Sequence, residues 1–244
     1  MPALPLNGKS ALVTGGARRI GREIALALGK AGADVTITFR NSRQDAEQTV
    51  ESLRALGCRA QALVCDVRSE DQVHVAVAAA ASFRGRLDIV VNNAAVFESA
   101  PLDRLTTAQW DAVFETNVRG PFLVAREALP HLRAVRGRVI NIGSLGGHRA
   151  WADHAHYCAS KAALHMLTQA MAKAFAPEVS VNCVAPGWIE MDDASDATAH
   201  RFAAKTPLQR NGTAADVAES VLYFAAGAGF LTGQILTVDG GLGL

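Results

Sequence analysis

The sequence predicts an α/β fold: a doubly wound, mostly parallel sheet of about seven strands, carried by one domain over residues 1–244. Three observations lead there. Short runs rich in Val, Ile, Leu and Thr alternate with longer helical stretches along the whole chain, and repeated β-α units of this kind build parallel sheets with helices on both faces. Most of the strand-like runs are continuously apolar, as strands covered on both faces are. No low-complexity linker or break in composition divides the chain, and 244 residues suit one large α/β domain.

The elements follow in order. Ser10–Thr14 reads as the first strand; a Gly-rich turn and a helix near 19–31 come next. Asp34–Phe39 is the second strand, with a helix near 42–56, and Ala62–Cys65 the third, with a helix near 69–84. Leu87–Val91 is the fourth, and 107–132 beyond it reads as one long helix. Arg138–Ile142 and Ser180–Val184 flank a helix near 155–176, and a helix near 213–226 leads to the last strand, Gln234–Val238. The least regular stretch is roughly 188–212. It is polar, with Asp192, Asp193, Ser195 and Asp196, and reads as a mobile loop or short helix over a site.

Composition removes several function classes. The formal net charge is +1, without the basic excess of nucleic-acid modules. No apolar run reaches the ~18 residues of a membrane span. The first residues show no basic stretch followed by a long apolar one, so the expected compartment is the cytoplasm. The four cysteines include no Cys-x-x-Cys pair, and buried free thiols are expected rather than disulfides or zinc ligands. His154 and His156 lack a carboxylate or Cys at ligand spacing, so no metal is expected.

Two clusters carry chemistry. Tyr157 and Lys161 stand four apart in a helical segment, hence on one face. An ammonium beside a phenol favours the phenolate and lowers a pKa that is normally ~10. Such a Tyr exchanges a proton with an alcohol or carbonyl oxygen near neutral pH. Ser144 ends the fifth strand, within reach of the same substrate oxygen, and Asn117 lies on the apolar side of a helix, where a buried amide needs partners. At the other end, Gly15, Arg18, Arg19, Ile20 and Gly21 follow the first strand and open the first helix. There, backbone N–H groups meet a pyrophosphate at the positive end of a helix. Two arginines at a helix start oppose the macrodipole by ~0.3–1 kcal/mol each, a conflict that a bound anion removes. Arg40, with Asn41 and Ser42, follows the second strand, where a dinucleotide fold reads the adenosine ribose; Arg there accommodates a 2′-phosphate, so NADP(H) is the expected cofactor. Asp66 and Val67 end the third strand and Asn93, Ala94 and Ala95 the fourth, at the carboxyl ends where ligands bind in open α/β sheets.

These residues resemble the short-chain dehydrogenase/reductase family. The Gly-rich turn, Asp66, Asn92-Asn93-Ala94-Ala95, Asn117, Ser144, Tyr157-x-x-x-Lys161, Pro186-Gly187 and Val238-Asp239-Gly240-Gly241 appear in family order over essentially the whole chain. The resemblance implies a Rossmann-type domain and hydride transfer between nicotinamide and a carbonyl or alcohol. It makes Tyr157 the acid/base and gives Ser144 the orienting of the substrate oxygen. Lys161 is to bond the nicotinamide ribose and lower the Tyr157 pKa. Asn117 is to hold a water linking Lys161 to solvent, Asn93 to line the cofactor site, and Ile189 to contact the nicotinamide end. It also implies a homo-oligomer, commonly a tetramer, and the 3-oxoacyl-carrier-protein reductases as the best-known activity. Two positions depart from the pattern. Arg19 replaces the usual Gly, as in the pteridine reductases, which often have Asp where this chain keeps Ser144. Met191 stands where many members have a Thr that bonds the nicotinamide amide. A pteridine or dihydrofolate reductase and a non-catalytic NADP(H) sensor are the alternatives. A serine hydrolase is not, because Ile142 breaks Gly-x-Ser-x-Gly. Phe97, Leu145, Trp151, His154, Trp188 and the 190–207 segment are the expected substrate walls.

Overall fold

A seven-stranded, all-parallel sheet organises the chain in the computed structural model, which describes residues 4–190, 196–227 and 229–244. The strands are β1 (Ser10–Val13), β2 (Asp34–Phe39), β3 (Ala60–Val64), β4 (Ile89–Asn92), β5 (Arg138–Ile142), β6 (Ser180–Pro186) and β7 (Ile235–Val238). Their order is β3-β2-β1-β4-β5-β6-β7. The chain winds outward from β1 to β3, returns to place β4 beside β1, and winds the other way to β7. The reversal leaves a crevice between the carboxyl ends of β1 and β4, where open α/β sheets bind ligands.

Every residue of β1, β2 and β4 is buried, which accounts for their continuous apolar character. Period-two alternation sends Ala11 and Val13 to one face and Leu12 to the other. On the first face α1 (Arg19–Lys30), α2 (Arg43–Ala55) and the helix Ala214–Ala226 supply Ile24, Leu28, Leu53, Val217 and Val221. On the second, α3 (Glu70–Arg84), the helix Gly120–Val135 and the helix Ala155–Phe175 supply Val73, Val77, Leu123, Leu132 and Met171.

The expected long helix over 107–132 is three pieces: α4 (Thr107–Phe114), a π-helical turn over Glu115–Arg119, and α5 (Gly120–Val135). Pro121 explains the break. It has no N–H to give the carbonyl four residues earlier, which is that of Asn117, and the Gly120 N–H instead reaches the Glu115 carbonyl. π turns of this kind recur at functional sites. After α6 (Ala155–Phe175), the irregular stretch contains a helix, α7 (Asp196–Lys205); Met191, Asp192, Asp193 and Ser195 lie outside the described residues. The final helix, α8 (Ala214–Ala226), opens with a reciprocal cap between Thr213 and Asp216. Among the described residues no helix is long and apolar enough to cross a membrane.

Candidate active site

A cleft of about 1140 Å³ runs along the carboxyl ends of the strands, and the residues expected in the site line it, Asn117 excepted. Its first half is shaped by backbone. Gly15 takes φ 63°, and a Cβ there would come within 3.0 Å of the Ala94 Cα. A Cβ on Gly21 would stand 2.3 Å from the Gly15 carbonyl oxygen and 2.4 Å from Asn93 Nδ2, so only glycine fits. Asn93 fixes this turn: its Nδ2 donates to the carbonyls of Thr14 (2.9 Å) and Gly15 (3.0 Å). The Thr14 hydroxyl in turn accepts from the Asn93 and Ala94 N–H groups at 3.0 and 3.1 Å. Asn93 therefore acts on the site by holding the turn.

Arg18 occupies the cap position of α1 in extended conformation, and Arg19 begins the helix at φ 53°. That left-handed backbone costs a non-glycine residue roughly 1–2 kcal/mol. Both arginines are exposed and line the cleft, and the first turn of α1 carries no acidic residue. Arg40, Asn41 and Ser42 line the same end. Ser42 stands at the cap of α2 without making the cap hydrogen bond, which leaves its hydroxyl to the cleft. An anion would meet strain, cationic charge and an uncapped helix end together. Asp66 lines this end with its carboxylate already engaged. Arg68 grips its carboxylate at 2.5–3.1 Å and holds its pKa below the usual carboxylate range. Val67, Ala94 and Ala95 complete this half.

In the second half, Ser144 follows β5 and its Oγ accepts the Gly146 N–H at 3.0 Å. Tyr157 and Lys161 project from the first turns of α6. Lys161 is 3% exposed; its Nζ donates to the Ile142 carbonyl at 2.8 Å and stands 5.7 Å from the centre of the Tyr157 ring. Burial pulls its pKa down to about 8. Here the structure corrects the sequence reading, because the Tyr157 phenol is raised, not lowered. Burial drives it up and the hydrogen bond with Ser144 offsets only part of that. The ammonium is directed at a backbone carbonyl and does not overcome the loss of solvent.

Asn117, 1% exposed in the π turn, has its amide taken up. Its Oδ1 accepts the Val96 N–H at 2.8 Å, and its Nδ2 donates to the Val96 carbonyl (3.0 Å) and Ser160 Oγ (3.1 Å). It joins the loop after β4 to α6. Pro186, Gly187 and Ile189 line the floor; a Cβ on Gly187 would lie 2.5 Å from the Asp239 Cβ. Phe97, Leu145, Trp151, His154 and Trp188 are walls as expected, joined by Phe202 and Lys205 of α7.

Sequence reasoning missed Arg149, Leu242 and Leu244, which also line the cleft. Arg149 donates to the Gly243 carbonyl, and the Asp239 carboxylate accepts from the Gly241 (2.9 Å) and Gly243 (2.8 Å) N–H groups. These bonds lay the last residues beside Leu145, an arrangement with no local signature. Among the described residues no group of three or more His, Cys, Asp or Glu side chains could hold a metal.

Known proteins share this architecture. A family model described as Enoyl-(Acyl carrier protein) reductase matches residues 15–243. A 3-oxoacyl-(acyl-carrier-protein) reductase of Staphylococcus aureus is 38% identical over 240 residues, covering 96% of this chain and 98% of the relative. A short-chain dehydrogenase of Burkholderia cenocepacia, solved in complex with NADP, superposes with TM-score 0.91 at 38% identity over 98% of this chain and 100% of that one. A blue fluorescent protein from a metagenomic library, in complex with NADPH, gives TM-score 0.91 at 35% identity over 98% and 99%.

Proposed function

We propose an NADPH-dependent carbonyl reductase activity for this chain, which belongs to the short-chain dehydrogenase/reductase family. One observation carries the reading: Ser144, Tyr157 and Lys161 line the same cleft whose other end gathers Arg18, Arg19 and Arg40. The strained Arg19 backbone, the anion-ready start of α1 and the unbonded Ser42 cap fit a phosphate-bearing dinucleotide, and Arg40 at the end of β2 fits its 2′-phosphate. NADPH supplies the hydride. Ser144 Oγ orients the carbonyl oxygen and offers a hydrogen bond as negative charge develops there. Tyr157, its pKa raised by burial, holds its proton at neutral pH and gives it from Oη to that oxygen, so the carbonyl becomes an alcohol. Lys161 stays charged below about pH 8 and places a cation beside the phenol and the cofactor ribose. Asn117 positions α6 through Ser160 and the loop after β4 through Val96.

A second reading, pteridine reduction, draws on Arg19 alone, which lines the cleft in a backbone conformation that glycine adopts more readily. An NADPH-oxidation screen separates the two. Acetoacetyl thioesters and small diketones are expected to be reduced and dihydrobiopterin not. Turnover of dihydrobiopterin alone contradicts the carbonyl reading.

A further inference from the structure

The substrate half of the cleft is built from rings. Phe97 comes from the loop after β4, Trp151 and His154 from the segment between β5 and α6, Trp188 from the end of β6, and Phe202 from α7. Two of the chain's three tryptophans are among them. Phe97 stacks on His154 (centroids 4.6 Å, planes 17° apart) and meets Tyr157 edge to face (4.8 Å, 86°). Trp151 lies nearly parallel to Tyr157, at 6.2 Å and 12°. Trp188 and Phe202 make a separate stack, at 4.1 Å and 5°. Phe97 and Trp151 thus flank the ring of the proton donor.

Three further facts constrain what enters. Phe97 is 60% exposed, a large apolar face held at the mouth of a cleft instead of in the core. Arg149 and Lys205 bring positive charge to the lining of the same cleft. The one acidic side chain among the described lining residues, Asp66, sits at the opposite end and is paired with Arg68. The substrate half therefore offers flat apolar faces edged by positive charge. A flexible aliphatic acyl chain gains little from ring faces and loses rotational freedom on binding. A flat ring stacks offset or edge-on with each aromatic wall and loses almost none.

Building on the carbonyl-reductase reading, we propose that the substrate is a ketone carrying a flat aromatic ring system. Its carbonyl lies at Tyr157 and Ser144, and its ring between the Phe97 and Trp151 side and the Trp188–Phe202 stack. The hydride goes from NADPH to the carbonyl carbon and the proton from Tyr157 to the oxygen. The products are the aryl-bearing secondary alcohol and NADP⁺, and solvent returns the proton to the phenol.

The test compares 2-tetralone with 2-decalone, two bicyclic ketones with the same carbon skeleton whose carbonyls are both unconjugated, so that ring flatness is the variable. With the full chain and NADPH, kcat/KM for 2-tetralone is expected to exceed that for 2-decalone by about tenfold or more, as one or two ring contacts carry, and mainly through KM. Phe97→Leu and Trp188→Leu are each expected to collapse that ratio towards one. Titration of nucleotide fluorescence reports whether each variant has folded with its cofactor site intact. Reduction of 2,3-butanedione by the unaltered protein tests the underlying reading separately. If the diketone is reduced while 2-decalone equals or outperforms 2-tetralone, the aromatic proposal alone is overturned. If none of these carbonyls is reduced, both fall. A ratio that persists in both folded variants overturns the assignment of these rings.

Discussion

The two halves of the cleft are made in different ways. The cofactor half is defined by backbone: Gly15 and Gly21 where no Cβ fits, Asn93 and Thr14 bonded to main-chain groups, and arginines at the ends of β1 and β2. Its shape is fixed by what is absent from the side chains. The substrate half is defined by the side chains themselves, rings converging from four segments far apart in sequence. Backbone-built sites tolerate almost no substitution and recur unchanged on one fold. Side-chain-built sites can be re-lined without disturbing the sheet, so one fold serves many substrates.

If that contrast is real, the two halves should fail differently. The largest effect is expected at Gly21→Ala, whose methyl would sit 2.3 Å from the Gly15 carbonyl oxygen; NADPH binding should be lost in a fluorescence titration. Near-normal affinity would mean that the turn yields more readily than backbone packing allows. Next, Arg40→Asp removes one phosphate partner and adds repulsion. The NADPH-to-NADH ratio of kcat/KM should drop by on the order of 10–100-fold, the worth of a charged hydrogen bond, and an unchanged ratio would move the phosphate contact to another arginine.

A further test sharpens the catalytic end. The folded Lys161 value of about 8 lies below its ordinary 10.5. Between those values the unfolded chain holds the proton that the folded chain has released, so this group's contribution makes stability rise with pH from about 8 upward. Burial raises Cys183 to about 12, which acts in the opposite sense above its ordinary range. Lys161→Met removes this contribution and also the cation that lowers the Cys183 pKa, which pushes that thiol still further above its ordinary range. In urea midpoints across pH 7–10 the parent should therefore gain relative to the variant as pH rises. The smallest effect is expected at Thr213→Ala, outside the cleft lining. It opens the cap shared with Asp216 and should cost about 1 kcal/mol of stability, with the cofactor preference unmoved.

The same contrast explains what could be read from the sequence. All seven strands and the Gly-rich turn were legible, because continuous apolar runs and glycine positions are local signals. Tyr157 and Lys161 were legible from helical spacing. The direction of the Tyr157 pKa was not, since burial and the course of the Lys161 side chain to the Ile142 carbonyl are tertiary facts. The π turn was readable in principle: Pro121 withholds an N–H from the Asn117 carbonyl. The pairing of the Asn117 amide with Val96 and Ser160, and the packing of Leu242 and Leu244 at the cleft, depend on how distant segments meet and leave no periodic trace.

The central claim is that a neutral Tyr157 phenol gives its proton to a carbonyl oxygen beside the nicotinamide. Its most direct test is the rate of NADPH oxidation by Tyr157→Phe with 2,3-butanedione, measured alongside the NADPH dissociation constant. We expect the rate to fall by on the order of 10²–10⁴-fold, the range of general acid catalysis, with cofactor affinity essentially retained. A folded variant that binds NADPH and still turns over at close to the parent rate would contradict the account.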